Sequence, residues 1–351
     1  MVSRHPHRCV RGGRLSGVSA APGRPLGLLR QGMRIRSSAR EVAERWSLVL
    51  AFLGAFVFFA VARPNSFLTW DNARAILDDS SVLCVLAAGV TVILVIGEFD
   101  LSVGFVAGLA GAAGVSVMAF HGWGVGAAVA VALGAAAVAG VASGIAVAYV
   151  RIPSFIATLA VGSIAAAVEL AITKTAIFEG LSSSYVQIAT TRVWTIPLRA
   201  IIAAGVVLAF LLLLRTTVFG RHAAAVGDNS AAARLTGVPV ERVRVIAFML
   251  AGLAAGIAAV LVTSSATQYY PNLGTGYLLP AYAAAFLGLS LGGGRRFNIV
   301  GSYIGVLLLA TVTTGLTMMN QPSWVAALVQ GVVLLLAVAS VSVRRGGTIG
   351  R

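Results

Sequence analysis

From Ser80 to Val150 the sequence carries two charged side chains, Glu98 and Asp100. Similar apolar runs recur as far as residue 342. A helical crossing of a bilayer needs roughly 20 such residues, and only helices and closed barrels satisfy their backbone groups in lipid. Barrel strands alternate apolar and polar residues, whereas these runs are continuous and rich in Ala, Leu, Val and Gly. The sequence therefore predicts an all-α, polytopic transmembrane helical bundle. Composition agrees, with 11% charged residues and a mean hydropathy of +0.93, against about 25% charged in ordinary soluble chains. Forty glycines suit helices that pack backbone to backbone.

About ten spans are expected, at 46–62, 81–97, 103–120, 124–150, 155–173, 198–214, 244–264, 276–291, 299–319 and 323–342. With the N-terminus inside, 21 of the 26 Lys and Arg residues fall on the inner side. They comprise ten in residues 1–45, Arg151, five in 215–244, Arg295 with Arg296, and three at the C-terminus. The positive-inside rule then predicts both termini in the cytoplasm. This distribution marks topology and argues against nucleic acid as a partner, despite a net charge of +15. Residues 1–45 read as a basic cytoplasmic tail, which a start at Met33 would shorten. Residues 46–342 form the membrane domain, with a cytoplasmic loop at 215–243, and 343–351 a cytoplasmic tail. No signal peptide is expected before the first span, which would act as a signal anchor. Arg outnumbers Lys 25 to 1, which points to a GC-rich bacterial genome and a bacterial plasma membrane.

The carboxylates at 98 and 100 need a physical explanation. Two at mid-bilayer cost roughly 5–7 kcal/mol, while the ten Val, Leu and Ile residues from Val82 to Ile96 supply about 3–6 kcal/mol. The pair must therefore lie at a span end or in a broken segment lined by protein and water. Gly97, Glu98, Asp100, Ser102 and Gly104 read as a helix break. Asp100 with Ser102 suits a cap on the following helix; the alternative places the pair beside a translocation path. "GEFDLSVGFVAG" (97–108) is echoed by "GRRFNIVGSYIG" (294–305), with shared glycines at the first, eighth and twelfth positions. The echo predicts two structurally related halves, as many transporters have, and makes Arg295, opposite Glu98, a candidate ion-pair partner.

No phosphate-binding GxxxxGK[ST] loop occurs, nor a zinc signature or nucleophile elbow. No catalytic residue, metal ligand or cofactor is expected, nor is an enzyme acting alone. Cys9 and Cys84 are too few for a disulfide framework. His121 and His222 read as solvated loop residues. The inner stretch "GRHAAAVGDNSAAARLTGVPVERVRV" (220–245) is the most informative. Asp228, Asn229 or Ser230 can cap a short helix, "SAAARL", which Gly237 would end in the left-handed conformation. Such a helix offers a rigid knob to a cytoplasmic partner, although an ordinary basic loop has the same composition.

That stretch resembles the coupling loop of sugar-type ABC importer permeases, the ribose, xylose and galactoside group. "GEFDLSVG" is similar to the group's GxxDLSVG signature, and "GTGYLLPAYAAAFLGLSLGGGRRFNIVGSYIG" (274–305) to its C-terminal block. The resemblance runs in order over residues 46 to 342. Two departures bear on the solute: Leu278, Leu279 and Pro280 stand where polar residues are usual, and Val168–Glu169 where an Arg-Gly pair is usual. The resemblance implies a permease subunit that moves a monosaccharide-like solute by alternating access. Its implied partners are a cytoplasmic ATPase that binds the ATP, an extracytoplasmic solute-binding protein, a second permease subunit (homo- or heterodimer) and membrane lipid. It implies that Gly220, Arg221, Gly227, Asn229, Ser230, Ala232, Ala233, Arg234 and Gly237 couple to the ATPase, with Ala232 and Ala233 facing it. The competing readings are a branched-chain amino-acid ABC permease, a proton-coupled secondary transporter using Glu98, Asp100 or Glu169, and a non-transporting scaffold.

Overall fold

A computed structural model describes residues 46–179, 181–291 and 296–346. The expected tail at 1–45, Arg295 and the last residues, 347–351, lie outside the described residues. Among the described residues, ten helices carry apolar stretches. Seven are long and apolar enough to cross a membrane: α3 (Trp70–Val95), α4 (Val103–His121), α5 (Val125–Ala148), α6 (Ser154–Thr173), α8 (Leu198–Thr216), α10 (Val240–Ala266) and α12 (Ile299–Met318). Three have shorter apolar stretches: α1 (Trp46–Ala62), α11 (Leu278–Ser290) and α13 (Ser323–Gly346). Between them lie the short helices α2 (Pro64–Phe67) and α7 (Ser183–Thr190), and α9 (Val218–Leu235). Two small antiparallel strand pairs join Phe178–Glu179 to Gln268–Tyr269 and Arg192–Val193 to Ile196–Pro197.

The span expected at 81–97 begins eleven residues earlier, at Trp70. Thr69 caps it by accepting from Asn72 N at 3.2 Å. Acidic residues at 71, 78 and 79 hid this half of the helix from a hydropathy reading. Arg199, 7% exposed in the first turn of α8, holds the Asp78 carboxylate through Nε at 2.9 Å and through Nη2. The charge is thus paired between two helices, as a charge in a spanning helix must be. The residues at 125–148 form one continuous helix, with no loop inside it, and α13 runs past the expected boundary at 342 to Gly346.

α3 and α10 form the centre, with 83% and 67% of their most apolar windows buried. α10 meets α5 through small residues. A methyl group on Gly140 would collide with the Phe248 carbonyl, and one on Gly252 with that of Ala136. Small residues allow backbones to approach this closely where dispersion drives association in lipid. α8, by contrast, has 17% of its window buried.

Candidate functional site

α3 ends at Val95, and two residues on, Gly97 takes a φ of +79°, open to glycine at no steric cost. The six residues from Gly97 to Ser102 then run without regular helix, and every amide among them has a partner. Gly97 N and Glu98 N donate to the carbonyls of Leu94 and Ile93, each at 3.1 Å. Phe99 N donates to Ser154 Oγ (3.2 Å) and Leu101 N to Thr158 Oγ1 (3.1 Å), both on α6. Asp100 N donates to the Tyr282 hydroxyl of α11 (2.8 Å), which donates back to the Asp100 carbonyl (2.9 Å). Ser102 N donates to Asp100 Oδ1 at 2.8 Å, and the Ser102 hydroxyl does the same. Asp100 is 2% exposed. Its carboxylate thus satisfies donors at the start of α4, the local role its spacing suggested.

Gly288 of α11 packs on Gly301 in the first turn of α12, and Tyr282 lies six residues away along α11, about 9 Å at 1.5 Å per residue. Unwound backbone in a membrane domain requires protein or water around it. Glu98 lies on the other flank. Its Oε1 is 2.9 Å from Arg244 Nε, near the start of α10. Arg244, not the undescribed Arg295, is the partner found for Glu98 among the described residues.

The inner stretch expected as a loop is largely helical. α9 runs from Val218 to Leu235 with a kink at Asn229 (φ −161°, ψ 101°). Asn229 Oδ1 accepts from Ala231 N (3.1 Å) and Ala232 N (3.0 Å), so it caps a second helical piece. Gly237, at φ +83°, ends that piece. Val238 N donates to the Ala233 carbonyl and Gly237 N to that of Arg234, each at 3.1 Å, the paired bonds of a Schellman stop. Arg234 forms an ion pair with Glu241, and Asp228 with Arg296. Ala232 is exposed, but Ala233 is only 5% exposed and packs on its own chain. It is therefore unable to face a partner as expected. Leu235 at the tip is 90% exposed. Ser230 is half-buried, Arg221 exposed, and Gly220 sits against the Leu214 backbone.

The break and the coupling stretch, far apart in sequence, are in backbone contact. A methyl group on Gly227 would strike the Val95 carbonyl, and the Gly97 methyl position lies 3.7 Å from Gly227 Cα. Beside this contact a cavity of about 370 Å³ is bounded by Val95, Gly97, Arg215, Gly227, Asp228 and Arg296. Sequence reasoning missed Ser154, Thr158, Arg244, Leu235 and Tyr282. Ser154 and Thr158 share a helix face at i, i+4, which was a usable signal; Tyr282 had none. Glu169, singled out as a departure, is fully buried. Its Oε1 accepts from the Tyr269 hydroxyl (2.7 Å) and Asn272 N (2.8 Å).

Residues 72–338 match the family described as branched-chain amino acid transport system / permease component. The chain is similar to the ribose import permease protein RbsC of Escherichia coli strain K12, 33% identical over 316 residues, covering 86% of this chain and 96% of that protein. It is 38% identical over 299 residues to RbsC of Bacillus subtilis strain 168, with 82% and 90% covered. It is 32% identical over 324 residues to the L-arabinose ABC transporter permease protein AraH of Azospirillum brasilense, with 89% and 91% covered. With agreement of this extent along nearly the whole membrane domain, the chain belongs to the permease-component family of ABC importers, in its sugar-type group.

Proposed function

We propose that the chain is the membrane-spanning subunit of an ATP-binding-cassette importer, carrying a monosaccharide-like solute by alternating access while a separate ATPase subunit supplies the energy. The observation that carries this reading is the seating of the capped helix 230–235. Its exposed tip, Leu235, points away from the chain's own packing, and Gly227 rests at its base on the end of α3. A push on the tip is thereby delivered to the backbone at Val95–Gly97. Three ion pairs, Arg234–Glu241, Asp228–Arg296 and Glu98–Arg244, tie the same region to α10 and to the start of α12.

The proposed topology has ten crossings and both termini in the cytoplasm, which puts this region inside, where ATP is. An extracytoplasmic binding protein delivers the solute, and a second permease subunit, identical or not, completes the path. Although the family description names branched-chain amino acids, the relatives at 32–38% identity are named for ribose and L-arabinose, which favours a sugar. A sugar needs hydroxyl-directed hydrogen bonds and no counter-charge, in keeping with carboxylates at 98 and 100 that are already engaged.

The test uses the full importer in proteoliposomes. Gly237→Val forces a β-branched residue into the left-handed region, and Ala232→Trp places bulk on the exposed face of the helix. Each should leave the permease inserted and abolish stimulation of the ATPase by solute-loaded binding protein. Normal stimulation in both variants would falsify the coupling assignment.

A further inference from the structure

The break presents three side chains that could meet a solute: Glu98, Phe99 and Asp100. Asp100 is turned inward onto Ser102, and Glu98 lies against Arg244. Phe99 alone of the three is exposed, at 43%, and its ring stacks on Tyr282 at 6.2 Å between centroids and 18° between planes. Its backbone is held by side chains of two other helices. Phe99 N is held by Ser154, and the next peptide is clasped on both sides by the Tyr282 hydroxyl. An aromatic ring is thus held with one side on Tyr282 and the rest partly uncovered.

Lipid does not account for the uncovered side. Phe99 belongs to an unwound segment between two apolar helices, its amide bonded to the first residue of α6, and irregular backbone within a membrane domain occurs only where protein covers it or water fills a cavity. Gly97 is exposed on the same segment, so the open side faces an aqueous path or another subunit. Behind Tyr282 the rings continue as Phe286 and Phe297, at 6.4 and 5.3 Å. The aromatic row therefore ends beside Arg296, which pairs with Asp228 of the coupling segment.

We propose that Phe99 is the solute-contacting, specificity-determining residue at the inner end of the path, its ring receiving the apolar C–H face of a monosaccharide. The motif's acids hold the ring's support in place and do not touch the solute. This rests on the importer reading. A pocket that orders a neutral polyol needs an aromatic or apolar wall beside its few polar groups, and an aromatic contact of this kind carries roughly a three- to tenfold effect.

The experiment assembles the importer with its ATPase and binding protein in proteoliposomes and offers radiolabelled ribose and L-arabinose. Phe99→Ala should lower the uptake rate at saturating loaded binding protein roughly three- to tenfold. ATPase stimulation should persist, because the coupling segment is untouched, and Phe99→Tyr should restore uptake. A merely structural role would lose uptake and stimulation together. In inverted vesicles, Phe99→Cys should react with a membrane-impermeant thiol reagent above the background of the parent chain, and solute should slow that reaction. Three results overturn the proposal: unchanged uptake in Phe99→Ala, labelling insensitive to solute, or a disulfide between two Phe99→Cys copies without solute protection. Absence of ATP-dependent uptake of either sugar by the unaltered chain would instead overturn the sugar-importer reading, and the proposal with it.

Discussion

α4 and α12 open on the same glycine spacing, Gly104 with Gly108 and Gly301 with Gly305, yet the two openings are built differently. At α12, Asn298 does the work locally. Its Oδ1 accepts from Gly301 N at 2.7 Å, and its Nδ2 donates to the carbonyls of Gly288 and Leu291 at 3.2 and 2.8 Å. The glycines then lie directly on the α11 backbone, at Gly288 and Ala284. At α4 the N-cap residue, Ser102, makes no side-chain cap. The three amides before it are held by Ser154, Tyr282 and Thr158 and its own amide by Asp100, and the two glycines of α4 face the Gly274 carbonyl and the Glu169 carboxylate. Backbone packed on backbone has no slack, because a single methyl group overfills it. Side-chain hydrogen bonds from several helices exchange individually. The break at 96–102, which also touches the coupling segment, is therefore the opening suited to rearrangement, and the start of α12 is the fixed one.

The sharpest way to break this contrast is to add a methyl-bearing side chain at each opening. Gly301→Val drives Cβ into the Gly288 carbonyl and should remove most of the monodisperse protein recovered in detergent, a loss of roughly 3 kcal/mol or more. Gly104→Ala places Cβ 3.0 Å from the Gly274 carbonyl oxygen and should cost about 1 kcal/mol, read as a modest fall in Tm. Equal damage at the two sites would mean that both openings are equally fixed.

A smaller effect compares the caps. Asp100→Ala leaves the buried Ser102 amide without its acceptor, at about 1–3 kcal/mol. Asn298→Ala removes an ordinary N-cap, at about 1 kcal/mol. Thermal unfolding in the same detergent ranks them, and a larger loss at Asn298 would reverse the assignment of the deeper network to α4.

The smallest effect concerns Glu98. Glu98→Arg and Arg244→Glu should each impair uptake, and the double exchange should recover part of it, with a coupling of about 0.5–1 kcal/mol for a pair that is only partly buried. Strictly additive damage would detach Glu98 from Arg244 and return Arg295 to consideration.

The apolar runs, the stop at Gly237, the cap at Asn229 and the break near Gly97 were legible in the sequence because each depends on local quantities. These are transfer to lipid over some twenty residues, the left-handed conformation of one residue, and a side chain bonding to amides two and three positions on. The beginning of α3 at Trp70 was not legible, since one of the acids that seemed to exclude it, Asp78, is paired by Arg199, 121 positions away. Nor could spacing say that Ala233 packs inward while Leu235 projects, that Arg244 meets Glu98, or that Tyr282 clasps the peptide of Asp100. Those outcomes depend on which helix faces lie against one another. That is decided by close packing of small residues across the whole bundle, and it leaves no period in the chain to read.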